Sequence, residues 1–375
     1  MVWRGLPRPR ESVFMPSKLA LSLIAIPLLS LSAHAADPSS SALIEKGHFK
    51  RAQVILVERL KADPNDARSH CEMSKVAEAF QRWDEAIQHA EKAVSLDHKN
   101  PEFQAQLADA VGAELSGSQK LGMFERASLA RRFKKEAELA LQLDAKNLDA
   151  NSDLAEFYLQ APGLVGGDKK KAAELADNLV KLDAARGYLM KIEIAAEGNR
   201  TSEVEQLLQQ AMSAAPKDYD VRVQAANFYI SKGTVALGQA EEQAKQAVRL
   251  DPDRAGGYIS LAVVYAEQSR WKDLEATLAD SQRNVPDDIA PLYQAAKAIF
   301  TSNQAQELTR AEGYLRTYLG QPAEGNEPPL NGAHWRLGLI LEKEGHKDQA
   351  KQELQRAVDL DPSFEPAKKD LKRLQ

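Results

Sequence analysis

The chain has 375 residues, 43% of them hydrophobic and only 6% aromatic, with a formal charge of −5. That length buries a large core as one to three domains or as one repeat array, and 27% charged residues beside abundant alanine and leucine exclude a disordered chain. The mild charge, without basic blocks or aromatic-interleaved basic patches, gives no reason to expect a nucleic-acid partner.

Residues 15–35 carry the pattern of a targeting signature. Met15-Pro-Ser-Lys18, the apolar run Leu19 to Leu31 and the small-residue end Ser32-Ala33-His34-Ala35 have the three regions of a secretory signal, with cleavage expected after Ala35 and a periplasmic or secreted destination. The apolar run is shorter than the ~20 residues of a spanning helix, so no stable membrane span is expected. Residues 1–14 either extend the positive region or precede a start at Met15. Removal of 1–35 leaves 45 basic against 53 acidic residues, a formal charge of about −8. The single cysteine, Cys71, excludes an internal disulfide and is read as a small, half-buried helix residue.

Residues 36–66 form a truncated first unit: Ser40 or Ser41 caps a short helix, Gly47-His48-Phe49 turns, and Ala52, Leu56 and Leu60 line a second helix. Residues 67–100 make a full two-helix unit, with Met73 and Ala77, then Trp83 after the turn, then Ala86, Ala90, Ala93 and Leu96. Residues 101–147 start the same way at Pro101, Leu107, Ala108 and Val111. They carry extra residues around 116–131, a lengthened connection or longer helices, before Ala137, Ala140 and Leu143 restore the pattern. Residues 148–184 contain an insert at 160–168 with Pro162, Gly163, Gly166, Gly167 and Asp168, which predicts a loop with non-helical backbone. Residues 185–218 and 255–288 are unbroken, 219–254 is longer by two at its turn, and 289–330 ends in a polar, proline-rich loop.

Residues 331–364 hold the clearest copy. Leu337, Gly338 and Leu341 line one helix, Gly345 permits a tight turn, Ala350, Leu354, Ala357 and Leu360 line the next, and Asp361-Pro362 closes the unit. Residues 365–375 are a charged capping helix with Leu371 and Leu374 on one side. Laid along the chain, the closing position falls on Pro64, His98, Ala145, Ala184, Pro216, a shifted Pro252, Pro286 and Pro362.

This pattern resembles the tetratricopeptide repeat, whose 34-residue consensus has Leu-Gly in the first helix, glycine at the turn, spaced small residues and a closing proline. The 158–168 insert is similar to one seen in exported bacterial members of unassigned role. The resemblance implies an all-α fold, a right-handed α-solenoid of stacked helix hairpins, in which the first helix of each unit lines a concave groove through positions 2, 5, 9 and 12. Carried onto these positions, the early and middle units supply Arg68, Lys75, Glu102, Asp109, Asp149, Glu156, Arg186 and Glu193. The later units supply Val223, Asn227, Ile230, Ile259, Val263, Tyr293, Phe300, Trp335 and Leu339. The implied groove is acidic toward the middle and apolar toward the C-terminal end. It suits a protein or peptide with basic and hydrophobic segments. For Trp335 and Phe300, packing against neighbouring units stands beside the groove role.

No catalytic grouping emerges: GxSxG, HExxH, CxxC and paired histidines at metal spacing are all missing, and no metal or cofactor is expected. His70 and His334 occupy fourth positions of their units, and His48 and His346 lie at turns, so all four read as structural or solvated. Gly163 to Lys169 lacks the Lys-Ser or Lys-Thr of a phosphate-binding loop and follows a helix rather than a strand. The expected function is a non-enzymatic binding scaffold of the cell envelope. Two other readings remain open at this point: an accessory subunit of an envelope assembly or polymer export machine, and an enzyme whose site is built by the inserts at 116–131 and 160–168.

Overall fold

The computed structural model describes residues 39–118, 120–302, 304–325 and 328–374; the secretory signature at 1–35 lies outside them. Among the described residues there are helices, turns and loops but no strands, and no helix is long and apolar enough to cross a membrane. Nine antiparallel hairpins follow one another: α1 (Ser40–Glu45) with α2 (Phe49–Ala62), α3 (Ala67–Ala79) with α4 (Trp83–Leu96), and α5 (Pro101–Gly117) with α6 (Met123–Leu143). Next come α7 (Leu148–Gln160) with α8 (Lys169–Leu182), α9 (Ala184–Glu197) with α10 (Thr201–Ala214), and α11 (Tyr219–Ser231) with α12 (Leu237–Leu250). The last three are α13 (Ala255–Glu267) with α14 (Trp271–Asn284), α15 (Ala290–Thr301) with α16 (Leu308–Leu319), and α17 (Leu330–Lys343) with α18 (Lys347–Leu360), capped by α19 (Glu365–Leu374).

The periodic alanines are the contact surface of these helices. Ala86, Ala90, Ala172, Ala176, Ala240, Ala244, Ala350 and Ala357 are all fully buried. With a methyl group at the interface the helix backbones approach closely, and the larger Leu56, Leu179, Leu208, Leu274 and Leu354, also fully buried, fill the layer between them. Each first helix also packs on the first helix of the next hairpin, α3 on α5, α5 on α7 and α13 on α15, which sets these helices along one face of the stack.

The punctuation has a local cause at each end of the hairpin. Between units, the side chains of Asp63, Asp97, Asp144, Asp251 and Asp361 accept hydrogen bonds from the backbone N–H two residues on, at 2.9–3.2 Å. Asp66, Asn100, Asn147, Asp183 and Asp218 then cap the next first helix. Within units, the turn demands one left-handed residue. Gly47 and Gly345 supply it at φ 87°, but Gln81, Asn199 and Ser269 occupy it at φ 53–56° without being glycine. At the first hairpin the cap is Ser39, whose hydroxyl accepts from Ala42 N–H at 3.2 Å, rather than Ser40 or Ser41; Ser40 is buried and donates to Glu72.

The superhelix completes a turn. The α1–α2 turn lies against the loops that join hairpins six through nine, through Lys46 to Asp251 (3.2 Å), His48 Nε2 to Asp253 (3.0 Å), Arg51 to Asp287 (2.7 Å) and the Lys50 backbone N–H donating to Glu324 (2.5 Å). His48 is fully buried in this seam, and burial there pushes the Asp288 and Glu324 carboxyls up from their ordinary range. Turns within hairpins occupy one edge of a solenoid and connections between hairpins the other, so this is the contact made when one coil meets the next.

Candidate functional site

The two departures from the 34-residue spacing have different local structures. Around 116–131 the helices lengthen: α5 and α6 extend past their neighbours and meet in a short loop, where the Arg126 guanidinium donates to the carbonyls of Leu115 (2.9 Å) and Ser118 (2.7 Å) and so closes the α5 C-terminus. At 160–168 the chain leaves the helix at Ala161 and Pro162 and makes a 3-10 turn at Gly163–Val165. It then passes through left-handed Gly166 (φ 105°) and begins α8 under Asp168. Gly167 is obligatory, since a Cβ there would lie 1.7 Å from the Ala161 carbonyl oxygen. Asp168 accepts hydrogen bonds from the Lys170 and Lys171 N–H groups, so the α8 N-terminus already holds a carboxylate where a phosphate would have to sit.

These two segments, well separated in sequence, face one another across a cavity of about 810 Å³. Leu115, Met123, Phe133, Phe157, Pro162 and Val165 give it apolar walls, and the Phe133 and Phe157 rings stack at 5.3 Å. Its acidic lining, Asp109, Asp153 and Glu156, comes from α5 and α7.

The same two helices, with α3 and α9, carry a carboxylate row along the first-helix face. Gln106 donates to both Ser74 (3.1 Å) and Glu78, fixing the Glu78 carboxyl beside Asp109. Burial, reinforced by Asp109, pushes the Glu78 carboxyl well above the ordinary range. Burial likewise raises Asp153 well above it, with Asp109, Asp149 and Glu156 adding repulsion; Asp109, though its side chain is exposed, is raised by desolvation among the surrounding protein atoms while Lys75 pulls it back. Glu193 is raised by burial and by Glu156. Asp153 Oδ2 is buried with no hydrogen-bond partner among the protein atoms.

Of the residues expected at the groove, Asp109, Asp149, Glu156 and Glu193 therefore stand together on α5, α7 and α9. Arg186 pairs with Asp149 at 2.5 Å, Arg68 with Glu102 at 2.7 Å, and the Gln160 amide bridges Glu156 (3.0 Å) and Glu193 (3.2 Å). Lys75 is the cation nearest Glu78 and Asp109. Asn227 is exposed and accepts from Ser260, while Ile230, Val223, Ile259, Val263 and Leu339 are half-buried.

The aromatic residues of the C-terminal end have mainly packing partners. Tyr293 is buried against Tyr318, with its hydroxyl accepting from Arg336 at 3.0 Å. Trp335 donates to Asp370 of α19 at 2.8 Å and meets Phe364 edge-on, and Phe300 lies under Lys343 on the core. Glu78 and Asp153 are additions to the sequence reading. Glu78 falls at position 12 of its unit, a groove position, and was legible there; Asp153 falls at position 6, which the consensus does not mark. Among the histidines, His70 contacts His89 (2.8 Å) and His334 contacts Glu353 (2.6 Å). Among the described residues no group of three or more His, Cys, Asp or Glu has the arrangement of a metal site.

Repeated helix hairpins with one face formed by first helices define an all-α solenoid. The family model for the tetratricopeptide repeat matches residues 332–364. Residues 332–364 are thus a tetratricopeptide repeat, and eight further hairpins of the same two-helix build precede it. No curated protein sequence matches it. Solved structures similar to it include yeast Tom70, at 14% identity over 89% of this chain and 79% of that one (TM-score 0.49). A human IFIT1 dimer with m7Gppp-AAAA matches at 16% over 89% and 79% (0.49), and a tetratricopeptide repeat protein from Parabacteroides merdae at 13% over 82% and 98% (0.42).

Proposed function

We propose that this chain is a non-enzymatic scaffold of the cell envelope that holds a basic, partly hydrophobic segment of a protein partner along its first-helix face. The observation that carries this reading is the row of carboxylates Glu78, Asp109, Asp153, Glu156 and Glu193, crowded so that desolvation and mutual repulsion raise the proton affinity of Glu78, Asp109, Asp153 and Glu193. Arg68 and Arg186 already pair with Glu102 and Asp149, and the attraction of Lys75 and Arg186 does not outweigh the desolvation and repulsion within the row. Lysine or arginine side chains of a partner relieve that repulsion, whereas a phosphate backbone adds to it. The envelope location rests on the signature at 15–35.

The test is fluorescence anisotropy with a labelled peptide of alternating Lys/Arg and Leu at low salt, against its Glu/Leu counterpart. Reversing Asp109, Glu156 and Glu193 together to lysine is expected to weaken binding at least tenfold; unchanged affinity ends the acidic-face reading. N-terminal sequencing of exported protein tests the location, and a mature chain that retains Leu19 to Leu31 overturns it.

A further inference from the structure

The cavity between the lengthened α5–α6 hairpin and the 160–168 insert has a composition that the peptide face does not require. Its walls are aromatic and aliphatic, and its polar lining comprises the carboxylates Asp109, Asp153 and Glu156 beside Ser116, Gln160 and Arg126. The one basic residue that lines it, Arg126, has its guanidinium committed to the Leu115 and Ser118 carbonyls. Asp153, by contrast, presents a buried carboxylate oxygen with no partner among the protein atoms, and Asp109 and Glu156 add negative charge beside it. A largely apolar cleft of about 810 Å³, partly open to solvent and with a few convergent polar groups, has the size and make-up of a small-molecule site. Exposed apolar side chains stand on both inserts: Met123, a lining residue, is 77% exposed, and Leu164, next to lining residue Val165, is fully exposed.

We propose that this cavity binds a small lipophilic amine, its aryl or alkyl body between Phe133, Phe157 and Leu115 and its ammonium group on the Asp153 carboxylate. A protonated amine supplies the donors that Asp153 Oδ2 lacks and offsets the repulsion among Asp153, Asp109 and Glu156. A neutral ligand of the same shape leaves both penalties in place, and a carboxylate ligand enlarges the second. The ligand site goes beyond the peptide reading, because, although it shares Asp109 and Glu156 with the groove, it is walled by the lengthened α5–α6 hairpin, Phe157 and the 160–168 insert.

The test is isothermal titration of the full chain at pH 7 with phenethylamine, tryptamine and octylamine, against 3-phenylpropionate and octanoate. The amines are expected to bind at least tenfold more tightly than carboxylates of matching length. Their binding should release protons to the buffer, because an ammonium draws raised carboxyls into the charged form. Asp153→Asn, which keeps the shape, is expected to weaken the amines at least tenfold. Ala127→Phe fills the cavity from α6 without touching a carboxylate, so it should abolish amine binding while leaving the basic peptide bound to the groove. If no amine binds at millimolar concentration, if carboxylates bind equally well, or if Asp153→Asn binds the amines as the parent does, the proposal is overturned, and the peptide titration on Ala127→Phe, which leaves the carboxylate row intact, reports the groove reading separately.

Discussion

Two helical glycines should respond to the same mutation with opposite signs. Gly187 lies inside α9 where it crosses α8, and a Cβ there would stand 2.1 Å from the Val180 nitrogen and 2.4 Å from its Cα. Those are backbone atoms, so no rotamer change makes room. The helices must part by on the order of an ångström, loosening the buried Leu179, Ala176 and Met190 between them. Overpacking of this kind costs about 1–3 kcal/mol, and alanine returns about 1 kcal/mol in helix propensity. A backbone clash belongs at the upper end of the range, so Gly187→Ala should lose about 2 kcal/mol net. Gly313, in α16, is exposed with nothing within 4 Å of its would-be Cβ, and Gly313→Ala should gain about 0.5–1 kcal/mol. Urea unfolding followed by circular dichroism measures both. Because each hairpin touches chiefly its neighbours, Gly187→Ala should also broaden or split the transition. A Gly187→Ala protein as stable as the parent would refute the account of close helix approach.

Three further outcomes follow from charges on the fold. Burial alone would raise the Glu241 carboxyl, but Arg270 (2.6 Å), Lys245 (2.7 Å) and Tyr265 (3.1 Å) outweigh it and hold it down to about 2. A lowered acid contributes stability above its ordinary range and loses it as pH falls through the folded value, so about 2–3 kcal/mol should disappear between pH 5 and 2, and Glu241→Gln should remove that slope in pH-dependent urea melts. For Asp153 the sign reverses: its carboxyl is raised, so the cost of its charge appears as pH rises above the ordinary carboxylate range. Asp153→Asn should therefore be more stable than the parent at pH 8 and equal to it at pH 4; equal stability at both would mean that the carboxyl is solvated. At the seam, Lys50→Glu with Arg51→Glu should reverse ion pairs worth about 0.2–1 kcal/mol each and free the first hairpin. Small-angle scattering should then report a larger radius of gyration, and an unchanged radius would show that the seam is not held by charge.

The fold was legible because the repeat writes itself in small residues: Ala86, Ala90 and Ala93, or Ala350 and Ala357, have no reason to recur at helix spacing unless helices meet there. Turn residues were less legible, since Gln81, Asn199 and Ser269 take the left-handed position that Gly47 and Gly345 advertise. For the site, the repeat register pointed to Asp109, Asp149, Glu156 and Glu193. Asp153 escaped it because a residue off the consensus positions reaches the cavity only once α6 and the insert have enclosed it. Both inserts were visible as breaks in spacing. A site built by the two together was one reading of those breaks, but which residues wall it was not legible, because that depends on how far α5 and α6 run before they turn. His48 shows the same limit from the other end: a histidine at a turn reads as structural or solvated, and only the curvature accumulated over six hairpins decides for the structural role by burying it beneath Asp253 and Asp287.

That curvature has a kinetic consequence. A segment lying along the inner face of an open arc can leave sideways, in one step. Where the first hairpin rests on the loops of hairpins six through nine, the sideways route passes through the contacts of Lys46, His48, Lys50 and Arg51, and the remaining route is lengthwise, by threading. A chain with folded domains on both sides of the bound segment has only the first route. Its residence time is then governed by how often the seam parts rather than by how well the groove fits, and salt that weakens the seam should speed its exchange more than that of a free-ended peptide.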